Sequence, residues 1–274
     1  MLLIVDLDGV VYRGGQAVPG VAALLARRVA KGDRIVYATN NSRFHRLEYA
    51  ARLAALGAPL APGGIVTAGR ATALALSTDR GRWCPAGRVM VLGGRGLGRE
   101  IRDVGLRSLA ATERGLAGAP EALVVGVDFG LTYERLSIAA EAVRRGASFV
   151  ATNRDHVFPT ERGLMAGAGT MVAAVATAAG REPDLIVGKP EPGLFSAALA
   201  LGEGSVDDAL VVGDGLRTDI AAARRLGLRS VLMLTGVSAP ADVAAAPRGS
   251  RPTYVAADAG DLDRILEGLT AAPR

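Results

Sequence analysis

The chain begins with an apolar run that ends in two acidic residues. Met1–Val5 contains only large apolar side chains, which is typical of a buried strand in a parallel sheet. Asp6 and Asp8 follow this run, and residues two apart in an extended segment point in the same direction. Open α/β sheets place their ligands at the carboxyl ends of such strands. The run therefore predicts an α/β fold with two carboxylates at the ligand-binding edge of its sheet.

Two neighbouring carboxylates repel each other unless a cation or a proton lies between them. Asp6 and Asp8 are therefore expected either to hold a metal or to divide the roles of nucleophile and proton carrier. The alternative is a simple turn, because Asp8 is followed by Gly9 and both residue types are common in turns. The first strand alone does not decide between these interpretations.

The use of cysteine and histidine limits the kind of metal. Cys84 is the only cysteine, and His45 and His156 are the only histidines, so a zinc site is not expected. Oxygen ligands, and hence Mg²⁺, fit better. A single cysteine forms no internal disulfide, which favours a reducing, cytoplasmic location. We expect no membrane span, because the apolar runs are too short, and no signal peptide, because no basic segment precedes the first strand.

The basic residues do not form the pattern of a nucleic-acid-binding protein. The formal net charge is +5, but the arginines are scattered and aromatic residues make up only 4% of the chain. Scattered arginine is typical of a solvated surface that also attracts anionic substrates. Only Lys31 and Lys189 are lysines. A lysine retained between Gly188 and Pro190 in so arginine-rich a chain indicates a need for a compact ammonium group.

Strand and helix patterns alternate along two parts of the chain. Polar segments near residues 78–82 and 180–183 separate these parts. The pattern predicts a discontinuous core, residues 1–82 and 184–274, with an inserted α/β cap, residues 83–183. A last helix is predicted over 262–269, with Asp261 as its cap.

Four motifs in the chain resemble those of the haloacid dehalogenase superfamily of phosphohydrolases. Their order is fixed, and each lies at a strand end or a helix start. The motifs are Asp6–Val11, Thr39–Ser42, Gly188–Pro192 and Val211–Ile220. The resemblance covers nearly the whole chain. It is closest to the branch with a large cap between motifs two and three, which includes phosphatases of pyridoxal phosphate, phosphoglycolate, glycerol phosphate and nitrophenyl phosphate. It implies a Rossmann-like core with a parallel sheet.

The resemblance also implies roles for individual residues. Asp6 would attack phosphorus and Asp8 would carry protons. Mg²⁺ would be held by Asp6, the backbone carbonyl of Asp8 and Asp214, with Asp219 orienting a metal-bound water or supporting Lys189. The phosphate-binding residues would be Thr39, Asn40 and Lys189.

Substrate choice would come from the cap, since the core recognises only phosphate. The candidate specificity residues are Asn153, Asp155, His156 and Phe158, which follow a predicted strand. The neighbouring residues 158–163 favour glycerol 3-phosphate or a similar polyol phosphate. Phosphoglycolate, pyridoxal phosphate and nucleotides remain alternative substrates. A homodimer formed through the cap is left open. Residues 167–170 open a helix and include two glycines. These glycines are explained equally well by backbone amides that bind an anion and by close packing that requires small residues.

Other functions remain open at this point. A dehalogenase would not need Asp8, and the large cap fits phosphatases better than phosphomutases. A non-catalytic phosphate-binding regulatory module would have no reason to retain Asp6, Asp8, Lys189 and Asp214 together. A nucleotide-binding oxidoreductase rests only on Gly93–Gly98, and Arg99 stands where the dinucleotide fingerprint requires glycine.

Overall fold

The computed structural model describes residues 1–160 and 163–271. Its strands lie largely where apolar runs predict them. They are, in chain order, β1 (Leu2–Asp6), β2 (Tyr12–Arg13), β3 (Gln16–Ala17), β4 (Arg34–Thr39), β5 (Ile65–Thr67), β6 (Arg88–Leu92), β7 (Arg107–Ala110), β8 (Ala122–Val125), β9 (Ser148–Ala151), β10 (Val157–Thr160), β11 (Gly163–Ala166), β12 (Leu185–Ile186), β13 (Ala209–Gly213), β14 (Arg229–Met233) and β15 (Tyr254–Ala256).

Helices occupy most of the connections between these strands. They are α1 (Val21–Ala30), α2 (Arg46–Ala55), α3 (Ala68–Thr78), α4 (Arg80–Trp83), α5 (Arg95–Asp103), α6 (Glu113–Ala117), α7 (Tyr133–Arg144), α8 (Ala168–Ala179), α9 (Gly193–Leu201), α10 (Ala221–Arg225), α11 (Pro240–Ala245) and α12 (Ala259–Ala271). A π-helical turn spans Leu216–Ile220, and a 3₁₀ turn spans Arg248–Ser250. Among the described residues, no helix is both long and apolar enough to cross a membrane.

By internal packing the chain divides into two compact units. The first consists of Met1–Thr39, Tyr49–Val66 and Lys189–Arg274, and the second of Asn40–Glu48 and Thr67–Gly188. Helices α3 and α4 thus belong to the second unit, where α3 packs on α5. Sequence analysis predicts a different kind of division, into a catalytic core (residues 1–82 and 184–274) and a cap that selects substrate (residues 83–183). This functional division stays a prediction.

The first unit is built on a six-stranded sheet with the order β15-β14-β13-β1-β4-β5. Strand β1 pairs in parallel with both β13 and β4, and all five of its residues are buried. The strand order reverses direction at β1, because the chain first builds outward through β4 and later through β13 and β14. Ligands bind at such switch points in open α/β sheets.

The second unit has its own five-stranded parallel sheet, with the order β12-β9-β8-β6-β7. Helices α7 and α8 pack together in this unit. Its core contains Leu123, Phe149 and Val175, all fully buried. A separate antiparallel hairpin joins β10 to β11. Two parallel sheets with connecting helices confirm the predicted α/β fold class.

The prediction that Asp261 caps the last helix is wrong. Helix α12 begins at Ala259, two residues before Asp261. The side chain of Asp258 accepts the N–H of Asp261 at 2.9 Å, so Asp258 caps this end. Asp261 instead reaches back to accept the N–H of Ala257 at 2.9 Å. Two acids near one helix start are equivalent in a sequence pattern, and only the backbone geometry separates them.

Candidate active site

Asp6 and Asp214 lie at the carboxyl ends of two paired strands. Asp6 is the last residue of β1, and Asp214 directly follows β13. Because these strands are parallel neighbours, both side chains lie at the same edge of the sheet. Both residues are about 94% buried, with relative exposures of 6% each. Asp6 and Asp214, two of the expected magnesium ligands, therefore lie at one sheet edge in the first unit.

Lys189 links two of the buried carboxylates. Its Nζ donates to Oδ1 of Asp6 at 2.7 Å and to Oδ1 of Asp219 at 2.8 Å. Burial alone would lower the pKa of Lys189, but the charges of Asp219 and Asp6 outweigh this effect and raise it above its usual range. The ammonium group therefore stays charged throughout the physiological pH range.

Asp219 lies in the π-helical turn Leu216–Ile220 and is almost fully buried. Besides Lys189, its carboxylate accepts the N–H of Gly215 and the hydroxyl of Thr218, each at 3.1 Å. These bonds fix the carboxylate against Lys189. Asp219 was expected either to orient a metal-bound water or to support Lys189, and its contacts match the second role.

Three carboxylates lie close together in this part of the site. Single oxygen atoms of Asp6, Asp214 and Asp219 all lie within 4.8 Å of one another. Burial raises the pKa of Asp6 well above its usual range, with Asp219 and Asp214 adding to the effect and Lys189 opposing it. Burial and then Asp219 raise the pKa of Asp214 to about 6. At both residues, neighbouring carboxylates add to the effect of burial.

A loop that sequence reasoning missed holds Asp214 in place. The N–H of Val237 donates to Oδ2 of Asp214 at 2.8 Å, and the N–H of Ser238 donates to the Asp214 carbonyl at 3.2 Å. A Cβ atom at Gly236 would lie 1.8 Å from Oδ2 of Asp214. The sequence feature that could have identified this loop is its position after β14, at the same sheet edge as Asp214.

Asp8 has a different environment from Asp6. Strand β1 ends at Asp6, and the chain then turns, with the N–H groups of Val11 and Tyr12 donating to the Leu7 carbonyl. The Asp8 side chain reaches solvent, yet the protein atoms around it displace enough water to raise its pKa, an effect that Arg52 and Lys189 oppose. A carboxyl group with a raised pKa and solvent access is suited to proton transfer.

Thr39 and Asn40 mark the end of β4. Thr39 is its last residue and is buried. Asn40 belongs to the second unit, where its amide donates to Oδ2 of Asp155 at 3.0 Å and its carbonyl accepts from Nδ2 of Asn153 at 2.7 Å. The structure thus joins a predicted phosphate-binding residue to two predicted specificity residues.

Comparisons with known proteins agree with this geometry. A model of haloacid dehalogenase-like hydrolases matches residues 3–107, and a second HAD-hydrolase-like model matches residues 186–262. The D-glycerol 3-phosphate phosphatase of Mycobacterium tuberculosis is 38% identical over 272 residues, which cover 99% of this chain and 73% of that protein. The chain belongs to the haloacid dehalogenase-like hydrolase family. The predicted family is thereby confirmed.

Two further relatives support this placement among haloacid dehalogenase-like hydrolases. The acid sugar phosphatase of Staphylococcus saprophyticus is 31% identical over 268 residues, which cover 96% of this chain and 97% of that protein. A structure of the M. tuberculosis glycerol phosphate phosphatase in complex with magnesium superposes with a TM-score of 0.85 at 38% identity, covering 95% of this chain and 75% of that one. Relatives that are named phosphatases confirm the predicted enzyme class, a phosphoric monoester hydrolase.

The donor set of this hydrolase fits a magnesium ion. Asp6, Asp214 and Asp219 carry three negative charges when ionised, and Lys189 carries one positive charge. The remainder is two negative charges, which one divalent cation balances. All the side-chain donors are carboxylate oxygens, the ligands that Mg²⁺ prefers.

The other two specificity candidates differ in their surroundings. Phe158 stacks on Phe129, with ring centroids 6.1 Å apart, and the guanidinium of Arg43 lies 3.9 Å from the Phe129 centroid. Sequence reasoning missed Arg43 and Phe129, which no motif connects. His156 is exposed, and its backbone carbonyl accepts the N–H of Gly167 at 2.7 Å.

The glycines at the start of α8 allow close backbone packing. A Cβ atom at Gly167 would lie 2.1 Å from the carbonyl oxygen of Asp155, and one at Gly169 would lie 2.4 Å from that of Arg154. Of the two explanations for these small residues, packing accounts for them fully within the second unit.

A second cluster of side chains that could bind a metal is paired with arginine instead. In the part of the chain that the structure describes, His45, Glu100 and Asp103 lie within ligand distance of one another. The guanidinium of Arg46 pairs with Glu100 and lies 2.8 Å from Oδ2 of Asp103. Because Arg46 occupies the cation position, this cluster is an ion-pair network.

Proposed function

We propose that this protein is a magnesium-dependent phosphatase that hydrolyses a small organic phosphate monoester through an aspartyl-phosphate. The observation that carries the proposal is the buried Lys189, bonded at once to Asp6 and Asp219 beside Asp214. A buried carboxylate in contact with an ammonium group is oriented for attack on an anionic substrate, because the positive charge offsets the repulsion between them.

In the first half-reaction, an oxygen of Asp6 forms a bond to phosphorus while the bond from phosphorus to the leaving oxygen breaks. Asp8 gives its proton to that oxygen, so the alcohol leaves neutral. In the second half-reaction, the deprotonated Asp8 takes a proton from water as the water oxygen attacks phosphorus. Inorganic phosphate leaves and the carboxylate of Asp6 is restored. The raised pKa of Asp8 supports the first of these roles.

The remaining residues bind and orient the phosphoryl group. Thr39 supplies its hydroxyl, the next residue Asn40 supplies its backbone N–H, and Lys189 offsets negative charge. Asp6, the Asp8 carbonyl and Asp214 would hold Mg²⁺, which when bound stabilises negative charge on the phosphoryl oxygens. Asp219 keeps Lys189 in position.

We further propose glycerol 3-phosphate or a similar sugar or polyol phosphate as the substrate, with residues 83–183 acting as the cap that selects it. The relative named D-glycerol 3-phosphate phosphatase supports this choice over phosphoglycolate, pyridoxal phosphate and nucleotides. Asn153, Asp155, His156 and Phe158 are the proposed specificity residues. Asp155→Ala should change the ranking of substrates by kcat/KM more than it changes hydrolysis of nitrophenyl phosphate.

The proposal includes a cytoplasmic location and a homodimer formed through the cap. The single, buried Cys84 supports a reducing compartment. The exposed apolar side chains of Val157, Leu164 and Met165, on the hairpin β10–β11, support a dimer. Leu164→Glu should convert a dimer to a monomer in light scattering. A wild-type chain that is monomeric at micromolar concentration would contradict the dimer.

The test of the proposed function is a panel of phosphate esters assayed with Mg²⁺ and with excess chelator. We expect phosphate release that requires Mg²⁺, with glycerol 3-phosphate giving the highest kcat/KM. Release that persists in chelator would contradict the metal assignment. Binding of phosphate esters without turnover, on any metal, would favour a regulatory module instead.

A further inference from the structure

The first unit carries an open groove that the proposed chemistry does not use. Its volume is about 670 Å³, within the range of sites for small organic molecules. One wall is formed by the π-helical turn and α10, and the other by the segment from Val237 to Ser250. Asp6 and Lys189 do not line it, so it is separate from the proposed nucleophile.

The groove is positively charged. Arg217, Arg224 and Arg225 line it, with Asp242 as the single acidic residue of the lining. Arg225 pairs with Glu191, so the excess positive charge comes from Arg217 and Arg224. The carboxylate of Asp242 already accepts the N–H of Ala239 at 2.8 Å. Arg217 is exposed and has no acidic partner in residues 1–160 and 163–271. A guanidinium group without a carboxylate is suited to bind an external phosphate.

The rest of the lining is apolar with a few hydroxyl groups. Leu216, Val237 and Pro247 contribute apolar surface, and Thr218 and Ser250 contribute hydroxyls. The guanidinium of Arg224 donates to the Gly249 carbonyl, which ties α10 to the opposite wall. A ligand that matches this lining has an anionic group beside an apolar body.

Residues of both walls hold the carboxylates of Asp214 and Asp219 in place. Gly215 and Thr218, which line the groove, donate to Asp219 at 3.1 Å each. Val237, on the other wall, donates to Asp214 at 2.8 Å. The hydroxyl of Ser238 accepts the N–H of Leu216 at 3.0 Å and so joins the two walls. A ligand in the groove would therefore contact the residues that fix both carboxylates.

We propose that this groove is an effector site for a small organic phosphate with an apolar or aromatic body, with Arg217 as its main anion-binding residue. Arg217 lies two residues before Asp219 in the π-helical turn. A ligand bound in the groove therefore shifts Asp214 and Asp219, and this shift changes turnover. Only this coupling rests on the proposed phosphatase function; the binding itself does not.

The test uses phenylphosphonate, whose carbon–phosphorus bond is not hydrolysed, and hydrogen exchange of residues 240–250, which include none of the proposed catalytic residues. In the full-length wild-type protein with Mg²⁺, the probe should slow exchange in this segment. Arg217→Glu should abolish the protection, and Arg217→Ala should weaken binding about tenfold or more. Arg107→Glu, a charge reversal at an exposed arginine of β7, is the matched control and should retain protection.

Turnover provides the second measurement. At saturating nitrophenyl phosphate, the probe should change kcat of the wild type and leave kcat of Arg217→Glu unchanged. No protection of residues 240–250 in the wild type, or equal protection in Arg217→Glu, would overturn the effector site even if the enzyme is an active phosphatase. Protection without any change in kcat would overturn the coupling.

Discussion

The ammonium group of Lys189 is fixed by Asp219, whose Oδ1 lies 2.8 Å from Nζ. The other oxygen of Asp219 is engaged by Gly215 and Thr218, so this carboxylate has little freedom to move. Lys189 in turn lies 2.7 Å from Oδ1 of Asp6. The position of the proposed nucleophile therefore depends on a residue that does not touch substrate in the proposed mechanism.

Asp219→Asn should lower kcat by about 10- to 100-fold, because the amide keeps the shape of the carboxylate but no longer fixes Lys189 through charge. Steady-state kinetics with saturating Mg²⁺ measure this effect. Asp263→Asn removes a surface carboxylate that pairs with Arg27 and serves as the control. If both variants keep wild-type kcat, the support of Lys189 by Asp219 is unimportant for turnover.

Gly236→Ala should weaken Mg²⁺ binding by about tenfold or more, since its Cβ atom would lie 1.8 Å from Oδ2 of Asp214 and force this carboxylate to move. The measurement is the Mg²⁺ concentration that gives half-maximal activity. Gly268→Ala, a helical glycine with no neighbouring atom within 4 Å of the new Cβ, is the matched control. An unchanged Mg²⁺ requirement in Gly236→Ala would contradict the role of Asp214.

The Mg²⁺ requirement should depend on pH. Burial and then Asp219 raise the pKa of Asp214 to about 6, so protons should compete with Mg²⁺ for this carboxylate below this pH. The Mg²⁺ concentration for half-maximal activity should rise about tenfold per pH unit as the pH falls below 6, and should level off above 7. Ca²⁺ should not replace Mg²⁺, because its longer bonds would misplace the nucleophile. An equal Mg²⁺ requirement at pH 5.5 and 7.5 would contradict this account.

The fold and two carboxylates of the candidate site follow a local pattern in the sequence. Asp6 and Asp214 each follow an apolar run, so their meeting at one sheet edge was predictable once the sheet was known to be parallel. Lys189 was predictable from its isolation as a lysine in an arginine-rich chain.

Contacts between distant segments were not predictable in this way. The Val237 N–H that binds Asp214 and the Arg46 that pairs with Glu100 belong to no periodic pattern. The π-helical turn that carries Asp219 also has no signature in the sequence pattern. Such features depend on which backbone groups meet in space, and one sequence does not record this.

Arg46→Ala should destabilise the second unit by about 3 kcal/mol, because it leaves Glu100, which has no exposed surface, without its main partner. Chemical denaturation measures the change in unfolding free energy. The exposed Arg102 lies on the same helix as Glu100, and Arg102→Ala is the control. Adding Glu100→Gln to Arg46→Ala should recover part of the loss, since a neutral amide costs less to bury. A stability of Arg46→Ala equal to that of the control would contradict the ion-pair assignment.

The most direct test of the proposed mechanism is to trap the phosphoryl group on the enzyme. After rapid acid quench of a reaction with nitrophenyl phosphate, intact-mass analysis should show the added phosphoryl mass on Asp8→Asn. This variant retains the nucleophile, and a good leaving group needs little protonation, but the attack of water stalls. The label should be stable in acid, labile in base and map to Asp6, and Asp6→Asn should show none. Added phosphoryl mass on Asp6→Asn, or a label on another residue, would contradict Asp6 as the nucleophile.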